Sequence, residues 1–193
     1  MGSRMSPGRM LAVSSSQDTL IDLKHLRGLL AVDDDSVTFG GGTPLHEVYE
    51  LLTTMNRMLN ASPGVIASQT LAGAISTGTH GQGLQQSSLA DEALSIRLID
   101  GAGEVHDINR AHPWFAAVQL GLGTLGAIVA VTLRTRPSTV FTCFKQAHSA
   151  DILEHELIGW DQAWTFSKAW WFVEENKVCL LYTSDAADDM QCV

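Results

Sequence analysis

Residues 68–83 constrain this chain more than any other segment, because they are almost free of bulky side chains. The run reads SQTLAGAISTGTHGQG, so that small residues, hydroxyls and glycines follow one another. Small side chains let a backbone approach a large ligand closely, and glycines allow the positive φ values of sharp loops. Loop N–H groups with Ser and Thr hydroxyls beside them form a concavity that suits a diphosphate. The run therefore predicts a nucleotide or dinucleotide cradle, although an ordinary glycine-rich loop has a similar composition.

The same run resembles the diphosphate-binding stretch of the vanillyl-alcohol-oxidase-type flavoproteins, in their sugar-lactone and alditol oxidase branch. Gln69 to Gly81 match that branch's pattern Q-T-[LI]-A-G-A-[IL]-S-T-x-T-H-G nearly position for position, and the resemblance extends from about Gly2 to Pro137. A loop histidine bonded to the backbone is an equal alternative for His80. The resemblance implies that the diphosphate and ribityl chain of FAD bind at Ser68, Gln69, Thr70, Gly73, Ala74, Ser76, Thr77, Gly78, Thr79 and His80.

The start of the chain resembles the G-x-[GR]-H-S loop with which this family approaches the flavin, and the matching residues are Gly2, Ser3, Arg4, Met5 and Ser6. In many members the histidine of that loop is bonded covalently to the isoalloxazine ring. Met5 occupies that position here, and its thioether has no nucleophilic nitrogen. The resemblance therefore implies noncovalent FAD, with an unstructured chain start as the alternative.

Residues 121–126 satisfy the dinucleotide pattern G-x-G-x-x-G, but their context argues against a nicotinamide site. That fingerprint follows a strand and opens a helix, whereas here a helical segment precedes the glycines and a β-prone segment follows them. The run resembles instead the element that closes the flavin domain of the family. That resemblance places the backbone near Ile128 against the flavin or its adenine end, and a turn that feeds a core strand is the alternative.

The remaining pattern predicts mixed short strands and helices, and therefore an α+β fold rather than a doubly wound sheet. Strands are expected over residues 19–23, 36–39, 93–99, 104–108, 127–136, 140–144 and 169–173. Helices are expected over residues 113–120 and 150–157 and from Thr43 to about Leu59, with Thr43 as N-cap and Pro44 at the first helical position. Trp160, Trp164, Trp170 and Trp171 are interpreted as core aromatics of a second lobe.

The resemblance implies three parts. Residues 1–137 are expected to form a PCMH-type FAD-binding domain of two α+β subdomains that is truncated at its N-terminus. Residues 138–178 are expected to begin a substrate domain. Residues 179–193 look like the translated end of a transposon-type sequencing adapter and are expected to add nothing to the core; a genuine polar tail is the alternative.

The charge balance excludes nucleic acid as a partner. With 12 Lys and Arg against 21 Asp and Glu, the formal charge is −9, and no basic stripe is present to neutralise phosphates. No apolar run approaches the length of a membrane span, and no secretory signal pattern opens the chain, so a cytoplasmic location is expected. The three cysteines have neither CxxC spacing nor histidine partners, which argues against a disulfide framework or a metal site.

The resemblance implies a reaction as well as a cofactor. FAD would take a hydride from a hydroxyl-bearing carbon of a sugar, alditol or aldonolactone and pass electrons to oxygen or another acceptor. The family's catalytic residues lie in a C-terminal half that this chain is expected to lack, so no catalytic base is named. His106, His112, His148 and His155 are interpreted as surface or hydrogen-bonded histidines. A noncatalytic nucleotide-binding module and an inactive gene fragment are the alternatives.

Overall fold

A five-stranded antiparallel sheet organises the larger part of the chain. The computed structural model describes residues 3, 15–17, 19–61, 66–83 and 86–185. The strands lie in the order β1 (Leu29–Val32), β2 (Ser36–Gly40), β6 (Ala127–Arg134), β4 (Ala93–Ile99) and β5 (Val105–Asn109). Strands β3 (Arg57–Met58) and β7 (Arg136–Pro137) pair separately. Antiparallel pairing throughout the main sheet, with helices beside it, confirms the α+β class.

Three helices pack with this sheet: α1 (Leu45–Thr54), α2 (Leu71–Ser76) and α3 (Phe115–Gln119). The side chains of Leu45, Val48 and Leu52 on α1 are buried, because a spacing of three and then four residues places them on one helix face. Strands β2 and β6 contribute their own buried side chains to this core, namely Val37, Phe39, Val131 and Leu133.

The three glycines at the end of β2 lie very close to the backbone of residues 23–26 and to that of Ile128 on β6. A Cβ atom built at Gly40, Gly41 or Gly42 would lie between 2.0 and 2.4 Å from a carbonyl oxygen of a neighbouring segment. Such a distance is far inside van der Waals contact, so only glycine allows these backbones to approach. Glycine is therefore required at these three positions by the close packing of the backbones.

A second sheet of three antiparallel strands follows, in the order β8 (Phe141–Ser149), β10 (Lys177–Asp185) and β9 (Phe166–Phe172). Helix α4 (Leu153–Ala163) leads from β8 towards β9. The ring of Trp160 on α4 lies 5.7 Å from His148, and that of Trp164 lies 4.5 Å from Tyr182. No helix in the described part of the chain combines the length and the apolar character that crossing a membrane requires.

Several element predictions are confirmed and others are wrong. Strands β2 and β4 lie where they were expected, whereas residues 19–23 form no strand and the exposed strand β1 was missed. Helix α1 starts one residue after Pro44, which is itself the N-cap. The Thr43 hydroxyl does not cap the helix, because it donates to the Gly40 carbonyl over 2.6 Å and accepts from the Gly28 N–H over 2.8 Å.

The expectation that residues after Val178 add nothing to the core is wrong. Residues 179–185 belong to β10, which lies between β8 and β9 and pairs with both strands. Leu180 is only 5% exposed. Residues 179–185 of the adapter-like segment therefore form most of the central strand of the second sheet. That this segment derives from an adapter stays a prediction.

The interpretation of the tryptophans is half correct. Trp160 and Trp164 pack between α4 and the sheet. Trp170 and Trp171 lie on the edge strand β9 and are 39% and 60% exposed. These two rings are surface aromatics of the described structure.

Candidate functional site

Helix α2, in the middle of the predicted cradle, is attached to the glycine turn after β2. The Leu71 N–H donates to the Thr43 carbonyl and the Ala72 N–H to the Gly41 carbonyl, each over 2.8 Å. Pro44 and Thr70 form an antiparallel bridge beside these bonds. The cradle is therefore held directly on the main sheet.

These bonds correct one physical expectation about the run. The sequence suggested exposed N–H groups as anion donors, but at Leu71 and Ala72 the protein's own carbonyls accept these bonds. The Ala74 N–H donates to the Thr70 carbonyl and the Thr79 N–H to the Ala74 carbonyl. These four N–H groups are therefore already engaged within the protein.

The polar side chains of the cradle are exposed or half-buried. Among the described residues, the hydroxyls of Thr70 and Ser76 form no hydrogen bond, so both are available to a ligand. The Thr77 hydroxyl donates to the Gly73 carbonyl over 2.9 Å, and the Thr79 hydroxyl donates to the Gln69 side-chain oxygen over 3.2 Å.

His80 is exposed, and its Nδ1 lies 3.0 Å from the Gly81 carbonyl oxygen. The backbone contact expected of an ordinary loop histidine is therefore present, and the exposed ring is still accessible to a ligand. Gly78 has a φ of 64°, which ends α2 in a left-handed turn. Ala74 is fully buried and faces the core, so only its backbone is available to a ligand.

One residue of the predicted N-terminal loop meets the cradle. The Ser3 hydroxyl donates to the Ser68 carbonyl, which joins two predicted segments that lie 65 positions apart in the sequence. Gly2, Arg4, Met5 and Ser6 lie outside the described residues. The contact supports the prediction that the chain start and the cradle belong to one site.

The glycine pattern at 121–126 lies in the turn between α3 and β6, so the predicted context of a preceding helix and a following strand is confirmed. Leu122 and Gly123 adopt φ values of 52° and 77°, and the Leu122 N–H donates to the Ser76 carbonyl over 3.3 Å. The turn therefore lies against the end of α2. Ile128, at the start of β6, is 5% exposed.

A cavity of about 240 Å³ opens between the C-terminal end of the run 68–83 and the second sheet. Gln82 and Gly83 line one side of it, and the Gln86 side-chain amide donates to the Thr165 carbonyl over 2.9 Å nearby. The opposite wall carries Trp160 and Lys168. No sequence signal indicates this cavity, because its walls come from segments that are distant in the chain.

Sequence reasoning also missed Glu92, a buried carboxylate next to the cradle. Apart from its acidic type, no sequence signal marks it. Two of the interpreted histidines have polar partners, since His106 Nε2 lies 2.8 Å from Asp100 Oδ2 and His148 Nε2 lies 3.2 Å from the Gln146 side-chain oxygen. Within the described ranges, no group of three or more acidic, histidine or cysteine side chains is arranged to hold a metal ion.

Comparisons with known proteins agree with this geometry. A family model described as an FAD binding domain matches residues 1–109. D-arabinono-1,4-lactone oxidase of Eremothecium gossypii is 29% identical over 205 residues, which cover 97% of this chain and 37% of that protein. L-gulono-1,4-lactone dehydrogenase of Mycobacterium tuberculosis is 32% identical over 127 residues, covering 65% of this chain and 29% of that protein.

The fold has counterparts among solved structures. A solvent-stable cholesterol oxidase superimposes with a TM-score of 0.72 at 18% identity, over 86% of this chain and 35% of the other. Identity this low shows the fold alone. The chain spans about a third of the length of the relatives described above.

Proposed function

Because this chain belongs to the family of FAD binding domains, in its sugar-lactone oxidase branch, we propose that it supplies the cofactor-binding part of an FAD-dependent oxidoreductase. The observation that carries the proposal is the cradle itself: accessible hydroxyls at Thr70 and Ser76 beside an α2 helix that is fixed to the main sheet. The contact between Ser3 and Ser68 adds the chain start to the same place.

The cradle fits the polar half of a dinucleotide. The Thr70, Ser76 and Ser68 hydroxyls would donate to the diphosphate oxygens, while the Gln69 and Thr79 side chains are already fixed against each other. Gly73, Ala74, Thr77, Gly78 and His80 would line the same ligand, and the backbone at Ile128 would meet its flavin or adenine end. FAD supplies the hydride-accepting chemistry when bound, and the chain's own residues supply position and electrostatics.

We propose further that the FAD is held noncovalently. Gly2, Arg4, Met5 and Ser6 would complete the site, with Met5 at the position where a histidine forms the covalent bond in many members of the family. A thioether offers no nitrogen for that bond. The proposal rests on the residue type, since Met5 lies outside the described residues.

We propose a polyol or a sugar lactone as the substrate, and both the branch and the cavity support this. Gln82, Lys168 and the Trp160 ring offer hydrogen-bonding groups and an apolar face, which is the combination that binds polyols and sugar lactones. The cavity begins two residues after His80, so a ligand there lies beside the cradle. Oxygen or another electron acceptor would reoxidise the flavin, since the relatives include both an oxidase and a dehydrogenase.

Titration of the purified chain with FAD tests the proposal, with quenching of flavin fluorescence as the readout. The chain is expected to bind saturably, and the double variant Thr70→Ala/Ser76→Ala is expected to bind about tenfold more weakly through lost charge-assisted hydrogen bonds. Thr53→Ala, which removes an exposed hydroxyl on α1, is the matched control. A folded chain without saturable binding would contradict the proposal.

Two additions to the same experiment test whether FAD is bound noncovalently and which substrate reduces it. Acid precipitation of the loaded chain is expected to leave the yellow colour in the supernatant, whereas flavin in the pellet would show a covalent bond. Anaerobic addition of D-arabinono-1,4-lactone or L-gulono-1,4-lactone to the whole protein is expected to bleach the flavin. A whole protein that binds FAD but is bleached by none of the polyols or lactones tried is a noncatalytic module.

A further inference from the structure

The Glu92 carboxylate is the feature that the proposed function leaves unexplained. Glu92 ends the short 3-10 turn Leu89–Glu92 and is only 3% exposed. Its Oε1 accepts a hydrogen bond from the Ala61 N–H over 3.2 Å, and its Oε2 accepts one from the Asn60 side-chain amide over 3.4 Å. Among the described residues Glu92 forms no ion pair. A carboxyl group is costly to bury unless hydrogen bonds satisfy its oxygens, and these two bonds do so.

Glu92 binds Asn60 and Ala61, from which the chain leads towards the cradle. Asn60 and Ala61 precede the cradle in the sequence, and Ala61 is 1% exposed. We name residues 88–92 the brace. Glu92 is part of the brace. Its two hydrogen bonds therefore attach Asn60 and Ala61, on the N-terminal side of the cradle, to the brace.

The other end of that segment is bonded to the brace as well. The Leu89 N–H donates to the Thr79 carbonyl over 2.8 Å, and His80 and Ser88 form an antiparallel bridge. The brace therefore fixes both the entry at Ala61 and the exit at Thr79, and the cradle lies between these two points.

The brace is itself rigidly held. The Ser88 N–H and hydroxyl both donate to Asp91 Oδ2, over 3.0 and 2.8 Å. The Gln119 side-chain amide donates to the Ala90 carbonyl over 2.6 Å, and the Arg110 guanidinium donates to the Asp91 carbonyl. Contacts from α3 and from the residue after β5 thus fix the brace against the core.

We propose that Glu92 is a positioning residue, whose buried carboxylate sets the geometry of Asn60 and Ala61 and, through the brace, of residues 66–79 before the cofactor arrives. The inference rests on the proposed function, because it gives that cradle a preorganised shape. A ligand that meets a preformed site loses less free energy to ordering the protein.

The test compares Glu92→Gln with Glu104→Gln, which makes the same chemical change at an exposed carboxylate. Glutamine keeps the shape of the side chain but turns one acceptor into a donor, which then faces the Ala61 N–H or the Asn60 amide. Hydrogen exchange in the cofactor-free chain is expected to accelerate at Ala61 and across residues 66–71. The dissociation constant for FAD is expected to rise about tenfold, while Glu104→Gln changes neither.

A second variant keeps the test decisive if Glu92→Gln does not fold. Asn60→Ala removes only the longer of the two hydrogen bonds and is expected to give the same pattern with a smaller amplitude. Unchanged exchange at residues 66–71 would overturn the positioning role, as would faster exchange spread evenly over the main sheet, which reports general loss of stability. If the wild-type chain binds no FAD, the proposed function is wrong, and the exchange pattern alone then decides the role of Glu92.

Discussion

Gly41 lies so close to the Ile128 carbonyl that a Cβ atom added to it would be 2.1 Å from that oxygen. The Gly41 N–H donates to the Val129 carbonyl over 2.8 Å, and the Gly41 carbonyl accepts from the Ala72 N–H. One glycine thus joins β6 to the first turn of α2. The position of the cradle relative to the sheet depends on this contact.

Gly41→Ala is expected to lower the free energy of unfolding by roughly 1–3 kcal/mol, because the new methyl group forces two backbones apart. Urea unfolding measures the change. Gly101→Ala is the control, since a Cβ at that position meets nothing within 4 Å. Equal stability of the two variants would contradict the close approach.

Gly78→Ala is expected to weaken FAD binding more than a left-handed alanine elsewhere does. At Gly78 the φ is 64° and the new Cβ would lie 3.1 Å from Leu120. Gly103 has a φ of 86° with open space around it, so Gly103→Ala carries the same kind of backbone strain, about 1–2 kcal/mol. Both variants should lose similar stability in urea, whereas only Gly78→Ala should raise the FAD dissociation constant. If both variants weakened FAD binding equally, Gly78 would not belong to the FAD site.

The stability of the β4–β5 hairpin is expected to fall in acid. The hydrogen bond from His106, followed by that from the Glu104 N–H, holds the pKa of Asp100 below its ordinary value of 3.8. A lowered carboxyl pKa stabilises the fold above the unfolded pKa, and this contribution disappears as the pH falls through the folded pKa.

Melting temperatures of the wild type and Asp100→Asn, measured between about pH 2 and pH 6, test this linkage. The difference between the two should be complete above the ordinary pKa and should close as the pH is lowered. Asp34→Asn, at an exposed position between β1 and β2, is the control. A gap that stays constant with pH would argue against the linkage.

Leu180→Ala is expected to cost roughly 2–5 kcal/mol, because it leaves a cavity beneath the central strand of the second sheet. Val173→Ala, at a side chain that is 66% exposed, should cost far less. Thermal unfolding monitored by tryptophan fluorescence follows this sheet, since four of the five tryptophans lie in α4, directly after it or in β9. A neutral Leu180→Ala would restore the view that residues after Val178 lie outside the core.

Local signals predicted much of the main sheet. The spacing of Leu45, Val48 and Leu52 predicts one buried helix face, and the glycines near Asp100 predict the turn between β4 and β5, because both patterns act over a few residues. Strand β1 was missed because all four of its side chains are exposed, so it has no alternation between a core face and a solvent face.

Features that depend on residues far apart in the sequence could not be predicted from local patterns. Nothing local indicates that β6 lies between β2 and β4, or that the exposed Trp171 lies on an edge strand. The cradle could be predicted because a bound ligand demands particular residue types at particular positions, and its role in binding stays a prediction. Glu92 was not found, because a buried carboxylate is defined by its neighbours, and Ala61 lies 31 positions away.

The place of β6 in the main sheet also governs the order in which the chain can fold. Thr38 on β2 meets Thr132 on β6, 94 positions later, through a hydrogen bond between their hydroxyls. Pairing over such a separation closes a long loop before it gains any contacts, which slows folding. During synthesis β2 and β4 emerge from the ribosome well before the strand that joins them. Until β6 is synthesised, the edges of β2 and β4 that later pair with it have no partner. These edges are open to association with other nascent chains.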